Sequence, residues 1–440
     1  MKLFGEETML RKALTSADSS DLRSEDLDPI LHEELVEKQP LLSLFDVEQA
    51  KGKTHEYRKI ASHPKGWFEG ESTPANAKKG TYSRETVQLK IMRNWGEVTG
   101  FNQAVTAADL DMLAQEIDLS VQGLADMIEW STLFGVADDY DWTGDAYQYT
   151  GLLPTIYSEY SSHVHDAGGT ITLADLDTMI DDIDYRGTEG DPKFLLMANN
   201  MKQKIDGLQT KVNIDIQSAQ LFDGRITMGT YDGLPIFKTN MLKPGTSAVT
   251  GLATALGTNV TSAALNTEYG YRVASVTFDG ECVACAEATI TPTANYSVVL
   301  TWTADDNAYS YMIFRESAAG GEGHALVDII AAKSYDSAGT VDGTIETWTD
   351  TDFTLLTSYT GEVVATETGE HTILLANSSN RNGASYLGMI DSMGVSMENL
   401  LSYVPLARTK DSYDFMLKSY LAMKIVNPAL FSVIRNVTVT

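Results

Sequence analysis

Cysteine is scarce in this sequence of 440 residues, which holds only Cys282 and Cys285, spaced as CxxC. Such a pair can form a redox couple or half of a zinc site, but a zinc site needs further Cys or His ligands at matching spacing, and none follows nearby. The surrounding segment VTFDGECVACAEATI has the pattern of two strands joined by an Asp-Gly turn. We therefore interpret both cysteines as structural thiols and keep a redox or metal function as the alternative.

Long hydrophobic runs are also missing. No run of 18 apolar residues occurs, so we expect no membrane-spanning helix and no membrane partner. The first residues, MKLFGEETMLRKALTSADSS, lack the apolar stretch and small-residue cleavage site of a secretory signal. We therefore expect the chain to fold in a cytoplasm. With 43% hydrophobic and 21% charged residues, the composition is that of a globular protein. A length of 440 residues suggests two or three domains.

Basic residues are outnumbered, 32 Lys and Arg against 61 Asp and Glu, which gives a net charge of −29. The balance reverses between Lys51 and Arg93, where ten basic residues face four acidic ones, a local charge of +6. An acidic body argues against a nucleic-acid reader, because phosphate neutralisation needs clustered Lys and Arg. The basic segment instead indicates contact with an acidic neighbour.

Two N-terminal segments are predicted to lie on other surfaces. Residues 1–50 form an acidic arm with a short helical stripe that ends at Pro40, too short to build a core of its own. Residues 51–97 have the pattern of a long hairpin whose second strand, RETVQLKIMRNW, alternates with Val87, Leu89 and Ile91 on one face.

A two-stranded ribbon alone is marginal in water. Its tip, about twenty residues rich in Gly, Pro and Lys, is also too long for a structureless connection inside a compact domain. We expect it to lie on another molecule. Trp67 and Phe68 are the expected apolar anchors, and Lys78 and Lys79 the expected charged contacts.

The strongest helix signal lies in TAADLDMLAQEIDLSVQGLADMIEWSTLFG, with Asp109 and Asp111 in the first turn and Gly135 after the end. About 28 residues would span on the order of 40 Å. The apolar residues recur at three- and four-residue steps: Leu110, Leu113, Ile117, Val121, Leu124 and Ile128.

Composition changes after residues 243–245. Residues 246–365 are rich in Thr, Ala, Gly and Val, carry a charge of −11 as far as Asp352, and contain short alternating strands typical of an all-β sandwich. The mixed composition returns near residue 366, so this segment is predicted to interrupt one domain, with its two ends close together.

The order of these elements, with the phrases YDGLPIFKTNML and MLKSYLAMKIVNPALFSVI, resembles the tailed-phage major capsid proteins of the Hong Kong 97-type fold. The resemblance implies an α+β fold divided as follows: N-terminal arm 1–50, extended loop 51–97, peripheral domain with spine helix 98–170, axial domain 171–245, inserted β-sandwich 246–365, and a return to the axial and peripheral domains over 366–440.

The inserted segment resembles fibronectin type III or bacterial immunoglobulin-like domains. The stretch VVLTWTADDNAYSYMIFRES has the family's core Trp302 before a strand with Tyr311 and Ile313. The Tyr-containing late-strand pattern, EYGYRVASVTF, comes first here, which departs from fibronectin topology. The resemblance implies a domain on the outer face of a shell.

The capsid resemblance implies a structural, non-enzymatic subunit without cofactors that assembles into hexamers and pentamers around viral double-stranded DNA. Implied partners are further copies, portal, scaffold or protease, and decoration proteins; the implied location is the virion capsid, assembled in the host cytoplasm. In some relatives a loop lysine bonds covalently to an asparagine of a neighbour. Asn427 and Asn436 are the candidates here, but no motif identifies either, so we favour a non-covalent role for Lys78 and Lys79.

Other candidate chemistry is weak. The aspartates of DDYDWTGD, residues 138–145, could bind a cation, but their spacing does not match an EF-hand loop. His163 and His165 could lie on one strand face, but no third metal ligand is evident. GxxxxGK[ST], GxSxG and HExxH do not occur. Two further hypotheses stay open: a cellular nanocompartment shell, and a surface adhesin with an immunoglobulin-like module.

Overall fold

The computed structural model describes most of the chain, and the statements below concern those residues. They are 40–66, 68, 71, 79–106, 111–137, 148–183, 188, 190–212, 218–221, 226–259, 268–292, 296–316, 324–332, 345–351, 371–389, 395–397, 401–406 and 410–438.

The described chain is mixed α and β. The helices are α1 Leu41–Leu44, α2 Gly100–Thr106, α3 Met112–Phe134, α4 Leu152–Glu159, α5 Leu173–Asp181 and α6 Asn199–Val212. The strands are β1 Val47–Gln49, β2 Thr54–Ser62, β3 Thr81–Gln88, β4 Lys90–Thr99, β5 Val164–Gly169, β6 Lys193–Met197, β7 Ser218–Leu221, β8 Ile226–Tyr231, β9 Leu234–Lys238, β10 Gly245–Ala248, β11 Thr250–Asn259, β12 Tyr269–Thr277, β13 Gly280–Val283, β14 Ala288–Ile290, β15 Tyr296–Thr303, β16 Ala308–Glu316, β17 His324–Ala331, β18 Ile345–Asp350, β19 His371–Asn377, β20 Ala384–Gly388, β21 Val395–Met397, β22 Leu401–Pro405, β23 Ser412–Ile425 and β24 Ser432–Val437.

The spine helix α3 is built by its apolar stripe. The Asp111 side chain caps it by accepting a hydrogen bond from the Ala114 amide at 3.2 Å. The stripe packs against Phe415 and Leu417 of β23. The helix has 23 residues, about 35 Å, and is shorter than expected because Asp111 caps it; residues 107–110 lie outside the described part of the chain.

One sheet packs on α3. Its strand order is β1-β20-β23-β22-β21, and β4 also pairs with β23. The β4–β23 pairing is antiparallel and runs from Lys90–Leu421 to Thr99–Ser412. Gly96 is required where it stands, because a Cβ there would collide with the Phe415 ring.

The second sheet has seven strands in the order β5-β24-β19-β6-β9-β8-β7, and α4, α5 and α6 contact it. Its centre is buried on both faces: every residue of β6 and β19 is buried, and the middle residues, Phe194–Met197 and Ile373–Ala376, are apolar. Strand β5, predicted within the peripheral segment, pairs with β24 in this sheet because Val164 is buried beside Val433. The boundary between the two sheets along the chain therefore precedes residue 164.

Residues 40–50, the end of the predicted N-terminal arm, pack on the body of their own chain. Leu41, Phe45 and Ala50 are buried in the main core, and the Leu41 amide donates to the buried Glu129 carboxylate of α3 at 3.4 Å. Strand β1 pairs in parallel with β20. Residues 40–50 therefore belong to the body of their own chain, because their apolar side chains find a core there; residues 1–39 lie outside the described chain.

The hairpin of β2 and β3 is present, but its second strand does not run through as one alternating strand. Leu89 interrupts it, is buried, and donates its amide to the Lys53 carbonyl at 2.9 Å. Beyond the interruption the pattern inverts: Met92 packs on the core and Ile91 is 66% exposed. The prediction that Val87, Leu89 and Ile91 share one face was wrong for Ile91, because Leu89 belongs to neither the β2–β3 nor the β4–β23 register, and one such extra residue exchanges the two faces of a strand.

Strands β10 to β18 form two sheets. One has the order β10-β13-β12-β16-β17, with β14 also paired to β12, and the other is β11-β15-β18. Both contribute to one apolar cluster that contains Trp302 and Tyr311. The two ends of the segment lie together, since the Thr372 amide donates to the Leu242 carbonyl at 3.2 Å.

The larger of these two sheets is buried on both sides. Tyr271 and Ile313 point into the cluster shared with β15, whereas Val276 and Phe314 point into the main core. The alternation of period two therefore separates two apolar environments, and not core from water. The prediction of an inserted segment over residues 246–365 did not include this packing of the larger sheet against the main core.

The end of the segment carries a buried imidazole. His371 opens β19 and is 5% exposed, and its Nε2 accepts a hydrogen bond from the Asn200 amide nitrogen at 2.7 Å. Burial lowers the pKa of His371 below its usual 6.5. The folded chain therefore holds this imidazole neutral.

We predict a pH-dependent stability from His371. The pKa of His371 is lower in the folded chain than in the unfolded chain, so the unfolded chain binds more protons below about pH 6.5. The free energy of unfolding therefore decreases as the pH falls, by at most about 1.4 kcal/mol per pH unit. Chemical denaturation of the dissociated subunit between pH 7.5 and 5 measures it, with His371→Gln as the control. Equal pH slopes for the two proteins would contradict the prediction.

Candidate assembly surface

The ribbon of β2 and β3 has two faces of different exposure. In the antiparallel register, His55, Tyr57 and Lys59 oppose Val87, Glu85 and Ser83 on the half-buried inner face. The Tyr57 hydroxyl donates to the Ile425 carbonyl at 2.9 Å. Burial, and then the Glu85 carboxylate, raise the pKa of Tyr57 to about 12, which keeps this donor protonated. The root of the ribbon is thus fastened to its own body.

The far end of the ribbon exposes apolar side chains. Ile60 and Tyr82 oppose each other in the register and are 61% and 75% exposed. Phe68, predicted as an anchor, is fully exposed, and Lys79 is exposed nearby. Trp67 and Lys78 lie outside the described residues. Large apolar side chains exposed on a two-stranded ribbon indicate a surface that a partner covers.

A second exposed apolar surface lies on the body and was missed from the sequence. Ile91 and Trp95 project from β4, and Phe101 and Val105 from α2; all four are more than 60% exposed. The i, i+4 spacing of Phe101 and Val105 in a short helix was the available signal. We name these four residues the body patch.

Electrostatics on the ribbon are local and weak. Arg84 and Glu56 form an ion pair at 3.1 Å on the outer face, and Lys59 and Glu85 one at 3.9 Å on the inner face. Such exposed pairs contribute at most about 1 kcal/mol each. These two ion pairs therefore add little to the stability of the ribbon.

The two asparagines considered for cross-linking have local roles. The Asn427 side chain accepts from the Ala429 amide at 3.3 Å and caps a short 3-10 turn. Asn436 is buried in β24 at a positive φ of 56°, a conformation that asparagine tolerates better than most residues. The non-covalent role of Lys78 and Lys79 stays a prediction.

A buried ion pair joins β13 to the body. The Arg435 guanidinium of β24 donates to the Glu281 carboxylate at 2.6 Å, and the Tyr157 hydroxyl of α4 donates to the same carboxylate at 3.0 Å. Burial, and then the Glu281 charge, raise the pKa of Tyr157 well above its ordinary value. The larger β10–β17 sheet is thus fixed to the body by a hydrogen-bonded charge pair.

Aromatic packing reinforces this junction. The Trp130 indole of α3 donates to the Thr277 carbonyl at 3.0 Å, and its ring centroid lies 4.9 Å from that of Tyr309. Within the outer cluster, Trp302 and Tyr311 lie with ring centroids 5.3 Å apart, at 69°. The predicted core pair is therefore brought together, whereas the junction through Trp130 had no signal in the sequence.

The remaining candidate residues have local contacts within the described part of the chain. Cys282 and Cys285 are free and buried, and burial raises the pKa of both thiols. His163 lies in a 3-10 turn and not on a strand, donating to the Phe431 carbonyl at 3.0 Å, whereas His165 contacts Asp182 at 2.5 Å. The described part of the chain contains no group of three or more ligands suited to a metal, and residues 138–145 lie outside it.

None of the helices in the described ranges is both long and apolar enough to cross a membrane.

We predict that Glu281→Gln destabilises the dissociated subunit by about 3–5 kcal/mol, because it removes the carboxylate charge that lies 2.6 Å from the buried Arg435 guanidinium. Asp279→Asn is the matched control, since it breaks the half-exposed pair between Lys243 and Asp279 two residues away and should cost at most about 1 kcal/mol. Urea unfolding measures both. Similar losses for the two variants would refute a special role for the buried pair.

Comparisons with known proteins agree with this architecture. The structure is similar to the holo-SrpI encapsulin complex from Synechococcus elongatus PCC 7942, with a TM-score of 0.51, 11% identity and 97% coverage of both chains. Further matches are Gordonia phage Cozz (TM-score 0.48, 8% identity, 100% and 99% coverage) and the cyanophage A-1(L) capsid asymmetric unit (TM-score 0.48, 13% identity, 97% and 100% coverage). No curated protein sequence matches the chain.

The fold is therefore of the Hong Kong 97 type, as the resemblance implied. The sequence also matches a family model, described as SU10 major capsid protein, over residues 11–231. That match spans half of the 440 residues and includes the hairpin and the spine helix. The chain belongs to the SU10 major capsid protein family and is a structural subunit of a capsid.

Proposed function

We propose that the subunit builds hexamers and pentamers of an icosahedral shell around viral double-stranded DNA by laying its ribbon on the neighbouring copy. The observation that carries this is the presence of two separate exposed apolar surfaces, the ribbon end with Ile60, Phe68 and Tyr82, and the body patch. Different surfaces that meet head to tail generate rings when the rotation closes. One copy thus supplies what the next one covers.

Apolar burial supplies most of the affinity in this proposal. An aromatic side chain that becomes buried removes roughly 150–250 Å² from water, at about 25 cal/mol per Å². Exposed ion pairs contribute about 0–1 kcal/mol each. The charge of Lys78, Lys79 and the rest of the ribbon then acts on register and encounter, without a covalent cross-link.

We also propose that residues 246–365 form an immunoglobulin-like sandwich on the outer face of the shell. The shared cluster of the two sheets, with Trp302 against Tyr311, supports a sandwich. The buried pair of Glu281 and Arg435 supports a fixed orientation relative to the body.

Assembly in the host cytoplasm with a portal, a scaffold or protease, and decoration proteins completes the proposal. A cellular nanocompartment shell is the second candidate, because the encapsulin likeness extends to the fold of 97% of the chain. The contents of purified shells separate the two: nuclease-protected DNA supports a capsid, and a packaged protein with no DNA supports a nanocompartment.

We predict that Trp67→Ala with Phe68→Ala leaves a folded subunit that no longer forms stable shells, because the ribbon end loses its apolar anchors. The free energy of unfolding of the subunit should stay within about 0.5 kcal/mol of the wild-type value, since Phe68 is fully exposed. Electron microscopy of the assembly reaction measures the outcome.

Leu256→Ala is the control for this double variant, because Leu256 is 44% exposed on β11, away from the ribbon. It should leave shell formation unchanged. Normal shells from the double variant would remove the anchoring role of the ribbon end.

A further inference from the structure

The register of the ribbon places two arginines directly opposite each other. Arg58 of β2 pairs with Arg84 of β3 on the outer face, between the pairs Glu56–Thr86 and Ile60–Tyr82. Like charges directly opposite on a sheet face destabilise the pairing. A two-stranded ribbon has little stability to spare for such a repulsion, so this pair has a cost that folding of the ribbon alone does not explain.

The chain compensates only part of this charge. Glu56 lies 3.1 Å from Arg84, with both side chains more than half exposed. Among the residues that the structure describes, no carboxylate lies within ion-pair distance of Arg58. On the inner face, by contrast, Lys59 has a carboxylate partner. Glu85 lies opposite Tyr57 in the register, and its Oε1 is 3.9 Å from the Lys59 Nζ.

The outer face is also the one left open by the body. Tyr57 fastens the inner face to Ile425, and Val87 on that face packs against the main core. Arg58 and Arg84 point the other way, on the same side as the exposed Ile60 and Tyr82. Whatever covers the apolar end of the ribbon therefore meets the two guanidinium groups as well.

We propose that Arg58 and Arg84, the arginine pair, receive a carboxylate of a neighbouring copy of this chain. Directly opposed strand residues have Cβ atoms about 4.5–5.5 Å apart, and two planar guanidinium groups at that spacing can both donate to one carboxylate. This inference rests on the proposed shell assembly and adds the group that sets the register of the ribbon.

Charge complementarity identifies the second copy as the source of the carboxylate. The chain carries −29 overall although its segment from Lys51 to Arg93 carries +6. The spine helix α3, with 23 residues, contains no Lys or Arg and presents Glu116 and Asp118. An acidic body in the next subunit is thus available to every ribbon, and a carboxylate placed between the arginines converts their repulsion into a bridge.

The test uses Arg58→Gln with Arg84→Gln in the full-length chain, with Lys59→Gln as the matched control on the inner face. Removing the repulsion should leave the melting temperature of the dissociated subunit unchanged or higher. The same double variant should need at least about tenfold more protein to form shells, since charge-assisted hydrogen bonds are lost. Arg58→Lys with Arg84→Lys should lie between, because lysine keeps the charge and lacks the planar fork.

Light scattering and negative-stain microscopy of assembly without DNA and with added double-stranded DNA, over a range of salt concentrations, measure these outcomes. Added salt should weaken wild-type assembly more than assembly of the glutamine variant. Equal assembly thresholds for the wild type and the glutamine variant would overturn the arginine pair alone, whereas a wild type that builds no shell overturns the proposed function. An effect seen only when DNA is present would assign the arginines to phosphate and also overturn the inference.

Discussion

The pairing of β23 with β4 is the constraint on which the rest of the molecule depends. Strand β23 lies near the C-terminus, and the ten residues from Lys90 to Thr99 that it holds lie in the first quarter of the chain. Its other edge carries β20 and β22, and through β20 it also holds β1. This pairing joins residues more than 300 positions apart in sequence, so the sheet on which the spine helix packs cannot be complete before β23 is present.

The ribbon follows from where that pairing stops. Leu89 separates β3, which pairs with β2, from β4, which pairs with β23, and its own side chain is buried. Because Leu89 is outside both registers, the inner and outer faces exchange at this residue. Tyr57 and Val87 therefore face the body, and the arginine pair faces away from it. Among the described residues, the inner face of the ribbon contacts the body, whereas the outer-face residues Arg58, Ile60, Tyr82 and Arg84 are exposed. In the proposed assembly the two strands are already paired before they dock, which lowers the entropic cost of docking.

Much of the architecture was accessible from the sequence. The stripe from Leu113 to Ile128 predicted α3, and the alternation of the hairpin and the segment after residue 245 predicted strands, because local periodicity reports which faces are buried. Trp302 and Tyr311 were expected in the core of that segment from its resemblance to fibronectin type III and immunoglobulin-like domains, and not from periodicity. Periodicity does not report what buries a face, so the docking of Val276 and Phe314 on the main core was invisible, as was the capture of Leu41 and Phe45.

The candidate assembly surface was harder to predict, because register decides it. A tip of about twenty residues does not fix which residue of β2 opposes which residue of β3, so the opposition of Arg58 and Arg84 cannot be read from spacing. The sequence shows only that the segment is basic. Net charge alone allows many docking positions of nearly equal energy, since exposed pairs are weak and screened.

Two guanidinium groups held side by side on strands are different, because their planar N–H groups can donate to a carboxylate in only a few orientations. Apolar side chains at the ribbon end can supply affinity without direction, and the arginine pair can supply direction with little affinity. A shell that must repeat the same contact many times needs both.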